Sequence, residues 1–243
     1  MSAGLFSAPG EKYLEHIERC LEKLGIIIPN YISTIKRVFD NWSQENEVER
    51  YFQRMVIFHD IGKLTRSWQE KLGSGRKLPN HAPIGAAVFY KMHNSENIPE
   101  SLKSAISFAI AIHHTDRGLL GDNIEKPDVQ AILDGIADNN GNLLWDEQTE
   151  ELEETYFPEE ARNLDILDLK NMAIGLRIWA KGCELLEQHK RRIQACLAHH
   201  ILKLCDISAA AERKEFQNKD DYFGGCLMVE NIKNYVDAVM KRL

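Results

Sequence analysis

Apolar residues recur at helical spacing along nearly the whole chain, and no other feature restricts the fold as much. Leu14, Ile17, Leu21 and Leu24 follow one another at three, four and three residues, which predicts one apolar stripe on a helix from about residue 10 to 24. A second helix is expected near 46–64, with Tyr51, Phe52, Met55, Val56 and Phe58 inward, and Tyr31, Ile35, Val38, Phe39 and Trp42 mark another between the two. The turn residues of Gly73-Ser74-Gly75-Arg76-Lys77-Leu78-Pro79-Asn80 predict a loop, after which Pro83 suits the first turn of a helix over APIGAAVFYKM. Leu102, Ile106, Ile110 and His113 share a further helix, which Gly118 is placed to end. Long helices are expected again over about 165–215, with a terminal one over about 227–243. No strand series interrupts this pattern. The expected fold class is therefore all-α: a helical bundle forming one domain over residues 1–243.

One stretch departs from the pattern. Between Asp146 and Glu160 stand eight acids and no lysine or arginine, the mark of a solvated face or a mobile insertion. The irregular acidic insertion is bounded at about 119–162.

A chain of 243 residues can bury roughly 70–75% of its unfolded surface, so it needs no covalent staple. Its five cysteines lack the close pairing of zinc ribbons and read as ordinary reduced thiols. No run of about 18 apolar residues offers a membrane span, and the N-terminus lacks a signal peptide's basic and apolar regions. A cytoplasmic protein with no membrane partner is expected. The formal net charge of −7 argues against nucleic-acid binding through a broad basic surface. A nucleic-acid role would rest on metals, a local patch or a partner.

The chemistry-bearing residues stand at the ends and on the inward faces of these helices. In Phe58-His59-Asp60-Ile61-Gly62-Lys63, His59 falls four residues after Met55 and seven after Phe52, so it points inward. A buried imidazole beside a buried carboxylate needs a compensating charge, and a divalent metal supplies one. His113 and His114 close an apolar helix, and His81 stands just before Pro83 at a helix start. His16 lies on the edge of the Leu14-Ile17-Leu21 stripe, and Asp206 follows Leu202 by one helical turn. Each alone is more often a capping or satisfied core residue than a ligand; together they gather the polar exceptions of the apolar helices into one ligand-type set.

The order His16, His59-Asp60 with Gly62-Lys63, His81, His113-His114 and Asp206 resembles the HD-domain nuclease of type I CRISPR interference, the nuclease half of the CRISPR-associated nuclease-helicase. HDIGKLTRSWQEKL is similar to that family's HD-G-K segment with its following aromatic and Gln. The resemblance implies an HD-superfamily bundle whose metal core spans about 10–215. It implies that His16, His59, Asp60 and Asp206 hold one divalent ion and that Asp60 bridges to a second, held with His81, His113 and His114. Asp60 and Lys63 would be the catalytic residues, Lys63 beside the phosphate. No G-x-x-x-x-G-K-[ST] loop is present, so a stand-alone subunit working with a separately encoded helicase and a guide-RNA surveillance complex is expected. Single-stranded DNA is the implied substrate, with RNA open.

A donor set of five imidazoles and two carboxylates favours Mn, Fe, Co or Ni over oxygen-seeking ions, with Mg left open by cellular supply. Asp116 and His199 are candidates for orienting the ligands, His199 because it precedes Asp206 by seven residues on one helical face. Each equally suits a turn or a packed helix. His93 and His189 are expected at the surface. Two other functions fit the same residues: an HD-superfamily phosphohydrolase of nucleotides or cyclic dinucleotides, and a non-catalytic all-α binding protein.

Overall fold

The computed structural model describes residues 4–39, 45–94, 98–114, 135–182 and 184–212, with the single position 238. Asp116, Gly118 and the expected terminal helix lie outside the described residues. A short antiparallel hairpin, β1 (Phe6–Ala8) and β2 (Glu11–Lys12), turns at Pro9-Gly10 and leads into α1 (Tyr13–Val38). There follow α2 (Glu45–Phe58), a 3-10 turn over Ile61–Leu64, α3 (Arg66–Lys71), α4 (Ala82–Met92) and α5 (Glu100–Ile112). After a second 3-10 turn at Glu147–Glu151 come α6 (Glu159–Arg162), α7 (Ile166–Lys181) and α8 (Leu185–Ala211). The architecture is all-α, as expected. No described helix is long and apolar enough to cross a membrane.

Helices α1, α7 and α8 bury one stripe each into a continuous core, in which α4 and α5 are buried on nearly every side. On α1 the fully buried positions are Tyr13, His16, Ile17, Cys20 and Leu24, while Leu14 and Leu21 lie on the flank. The stripe is thus rotated from its expected centre, and His16 stands in the middle of it. The two helices expected on either side of residue 30 are one, running through Pro29. An interior proline costs ~3 kcal/mol or more; burial of Ile27, Ile28 and Ile35 around it keeps the helix continuous. Helix α8 packs against both α1 and α5, and α4 packs against α5 and α7.

Two glycines set how closely the site-bearing segments meet. A Cβ on Gly62 would lie 2.9 Å from both Cα and Cβ of His81 and nearer still to its carbonyl oxygen. A Cβ on Gly85 would overlap the Phe58 carbonyl. Their bare backbones let the start of α4 rest on the turn that ends α2.

The acidic stretch is more regular than its charge suggests. Asp146 accepts a hydrogen bond from the Gln148 amide and starts the second 3-10 turn. Phe157, Ala161 and Leu164 are buried, so the acids face one side of a segment anchored on the other. Just before it, Arg66 N–H donates to Leu144 O (2.9 Å) and Asp146 N–H to Leu64 O (3.0 Å). Residues 144–146 therefore brace the turn that carries Asp60 and Lys63.

Candidate metal centre

Helix ends and one helix interior deliver the polar groups. His59 and Asp60 follow the last residue of α2, His81 caps the start of α4, and His113 and His114 follow α5. His16 lies on the first turn of α1, and Asp206 within α8. These seven residues converge as two adjoining groups. His16, His59 and Asp206 form one with Cys20; Asp60, His81, His113 and His114 form the other; within each group the donor atoms lie within 4.8 Å of one another.

Asp60 stands between them. Its Oδ2 lies 3.4 Å from His16 Nε2 and 3.5 Å from His59 Nε2; its Oδ1 lies 3.0 Å from His81 Nε2 and 3.6 Å from His113 Nε2. Asp206 Oδ1 is 3.4 Å from His16 Nε2 and 3.8 Å from His59 Nε2.

Two of the rings are aimed by their own helix ends. His59 Nδ1–H donates to Val56 O and His113 Nδ1–H to Ile110 O, both at 2.6 Å. A carbonyl only accepts, so in the neutral ring the lone pair is on Nε2. Both Nε2 atoms are buried without a hydrogen-bond partner, as is Asp60 Oδ1. Buried polar atoms are nearly always satisfied. Lone pairs left open and aimed at one another fit a bound cation.

The electrostatics point the same way. Burial alone would raise the Asp60 carboxyl, but His59, Lys63 and the His113 and His81 rings outweigh it and hold it well below the usual carboxylate range. Asp206 is likewise held low against burial by His16 and His59. Burial pulls on His16 in the opposite sense, yet Asp206, Cys20 and Glu11 push it up to about 12. Without a metal, His16 thus keeps a proton as the cation among these carboxylates. Burial lowers His81 to about 4 despite Asp60, and lowers His113 as well, which favours the neutral form in which an imidazole binds metal.

Lys63 is buried, with Nζ 2.6 Å from Asp60 Oδ2 and 5.7 Å from the centre of the Trp68 ring. It lines a cleft of about 360 Å³, with Trp68, His81 and His114 on one wall and Ser7, Pro9, Leu78 and Pro79 among the others. Gln69 ties the hairpin to this wall: its side-chain amide donates to Phe6 O (2.9 Å) and Lys63 O (2.7 Å), and its oxygen accepts from Phe6 N–H (3.1 Å).

Sequence reasoning passed over two residues here. Glu11 Oε1 lies 3.3 Å from His16 Nδ1 and accepts a hydrogen bond from Arg19 at 2.9 Å. Cys20 Sγ lies 3.6 Å from His16 Nε2; its signal was a cysteine one helical turn after a histidine on an inward stripe. His199 is half-buried on the helix that carries Asp206 and belongs to neither donor group. His189 is exposed, as expected, but His93 is not: it is 1% exposed, stacked on Phe89 at 4.1 Å and paired with Arg54 at 2.8 Å.

No family model matches the sequence. The CRISPR-associated endonuclease Cas3-HD of Pyrococcus furiosus is 23% identical over 239 residues, covering 92% of this chain and 97% of that protein. Among solved structures, the CRISPR-associated Cas3 HD domain protein of Methanocaldococcus jannaschii superposes with a TM-score of 0.63 at 17% identity, over 82% of this chain and 98% of that one. The chain is similar to Cas3-HD along nearly its full length and has the Cas3 HD-domain fold. Two candidate His/Asp clusters for a divalent metal stand among its described residues.

Proposed function

We propose that this chain, working as one domain over residues 1–243 in the cytoplasm, is a metal-dependent nuclease that hydrolyses phosphodiester bonds of single-stranded DNA in CRISPR antiviral defence. In this reading it acts beside a separate helicase subunit and a guide-RNA surveillance complex. The observation that carries the reading is Asp60, whose two carboxylate oxygens face two different sets of imidazoles. The resemblance to an endonuclease over nearly the full length of both chains supports it.

His16, His59, Asp60 and Asp206 would hold one ion, and Asp60, His81, His113 and His114 the other. Two divalent ions, if so held, would supply a potent nucleophile at neutral pH and charge stabilisation on both the attacking and the leaving oxygen. The chain's own groups do the rest. Val56 and Ile110 carbonyls orient His59 and His113, and Glu11 orients His16. The apolar core closes the inner side to water, so the strand enters from the cleft between the hairpin and Trp68. Lys63 shares Asp60 Oδ2 and lines that cleft, which puts its ammonium within a side-chain movement of a phosphate oxygen. The net charge of −7 leaves little for general affinity, in keeping with a strand delivered by partners.

The cleft volume also lies within the ~300–1,000 Å³ typical of small-molecule sites, so nucleotides and cyclic dinucleotides are the second substrate class. The test is parallel digestion of single-stranded DNA, RNA and cyclic dinucleotides with added Mn. DNA cleavage that stops with a chelator and in Asp60→Asn is expected; cleavage of small nucleotides alone would overturn the nuclease reading.

A further inference from the structure

Cys20 stands one helical turn after His16 on the inward stripe of α1, so both side chains leave the helix on the same face. It is 1% exposed, and its Sγ lies 3.6 Å from His16 Nε2 in the same compact set as His59 and Asp206. Independently, His59 Nε2 is buried without a partner and aimed into this set by its Val56 hydrogen bond. The spacing can be compared with ordinary coordination. Five donors around one ion stand at angles of about 90–120°, which with metal–nitrogen and metal–oxygen bonds of about 2.05 Å and a metal–sulfur bond of about 2.3 Å separates sulfur from nitrogen by about 3.1–3.8 Å and nitrogen from oxygen by about 2.9–3.6 Å. The observed separations are 3.6 Å for Cys20–His16, 3.4 Å and 3.5 Å for Asp60 to His16 and His59, and 3.4 Å and 3.8 Å for Asp206 to the same two rings.

We propose that Cys20 is a sulfur ligand of the ion held by His16, His59, Asp60 and Asp206, so that the two metal positions differ in kind. The proposal rests on the two-metal reading above and deepens it. The thiol S–H bond breaks as the metal–sulfur bond forms, and its proton leaves to water. The position beside Cys20 is then soft and selects zinc, cobalt or ferrous iron, whereas the position formed by Asp60, His81, His113 and His114 has only nitrogen and oxygen donors and accepts harder ions such as manganese.

Cobalt(II) reads this directly. Titration of the whole protein, followed by visible and near-ultraviolet absorption and by metal content, is expected to give two cobalt ions per chain and a sulfur-to-cobalt charge-transfer band. Cys20→Ser is expected to lose that band and to weaken one cobalt site at least tenfold while sparing the other. Cys205→Ser, which changes the buried thiol beside Asp206, should keep the band. Two cobalt ions in the unaltered protein with no sulfur band would overturn the proposal and leave the two-metal reading standing, and this holds even if Cys20→Ser fails to fold. A folded Cys20→Ala that binds both ions at parental affinity would overturn it too, assigning Cys20 a hydrogen bond to His16 only. Failure of the unaltered protein to bind cobalt at all would overturn both readings.

Discussion

Replacing Gly62 by alanine tests whether the site depends on the bare approach of two backbones. The added methyl would stand 2.9 Å from His81 Cα and Cβ, about 0.6–1.1 Å inside the ~3.5–4.0 Å of ordinary carbon contact. Neither side yields easily. The turn is held by Lys63 N–H to Asp60 O (2.8 Å) and by the 144–146 brace, while His81 begins a helix pinned against Phe58 at Gly85. Overpacking of this kind costs about 1–3 kcal/mol, which for a chain of this size lowers Tm by roughly 2–4 °C per kcal/mol. The same displacement would open the 3.0 Å approach of His81 to Asp60, well beyond the ~0.2 Å tolerance of metal–ligand bonds. Melting in a chelator, with metal content measured after loading with Mn, should therefore show both a lower Tm and loss of one ion. Gly25→Ala is the control: nothing lies within 4 Å of its added methyl, so mid-helix it should gain about 0.5–1 kcal/mol. If Gly62→Ala melts with the parent and keeps two ions, the close-approach argument is wrong.

Asp60→Asn should lower metal content to one ion or none and reduce cleavage at least a hundredfold, measured on a labelled single strand; retention of two ions would refute the shared-carboxylate geometry. In the metal-free protein, His81 is lowered to about 4 and His16 raised to about 12, against an unfolded value of ~6.5. Below pH 6.5 the unfolded chain binds a proton at His81 that the fold refuses, so stability falls as pH falls towards 4. Above it the fold keeps the His16 proton that the unfolded chain gives up, so stability falls as pH rises. Melts in a chelator at pH 5, 6.5 and 8.5 should peak at the middle value; a monotonic rise would contradict the assignment. Phe157, 2% exposed within the acidic stretch, should cost about 3–5 kcal/mol on truncation to alanine; an unchanged denaturation midpoint would show that the stretch is not anchored.

What was legible in the sequence was whatever depends on local spacing. The bounds of α4 follow from Pro83 and the apolar run, whereas α2 stops at Phe58, short of the expected 64, and α5 closes at Ile112, before the expected stop at Gly118. Features set by tertiary packing were not legible. Continuity of α1 through Pro29 depends on buried isoleucines meeting α8. The burial of His93 depends on Tyr51 and Arg54 of α2, and the order of the acidic stretch on Phe157 and Leu164 joining the common core. Cys20 was hidden for another reason: searching for paired cysteines cannot find a single thiol whose companions are histidines.

The donor group nearest Cys20 draws on both an early and a late helix, His16 from α1 and Asp206 from α8. Contacts so far apart in the chain form late, and during synthesis the first cannot meet the second until nearly the whole of α8 has left the ribosome. Until then the donor group lacks its Asp206 carboxylate and stands open on that side. On the function proposed above, unfinished chains would be without a complete hydrolytic centre, a safeguard supplied by the order of the helices alone.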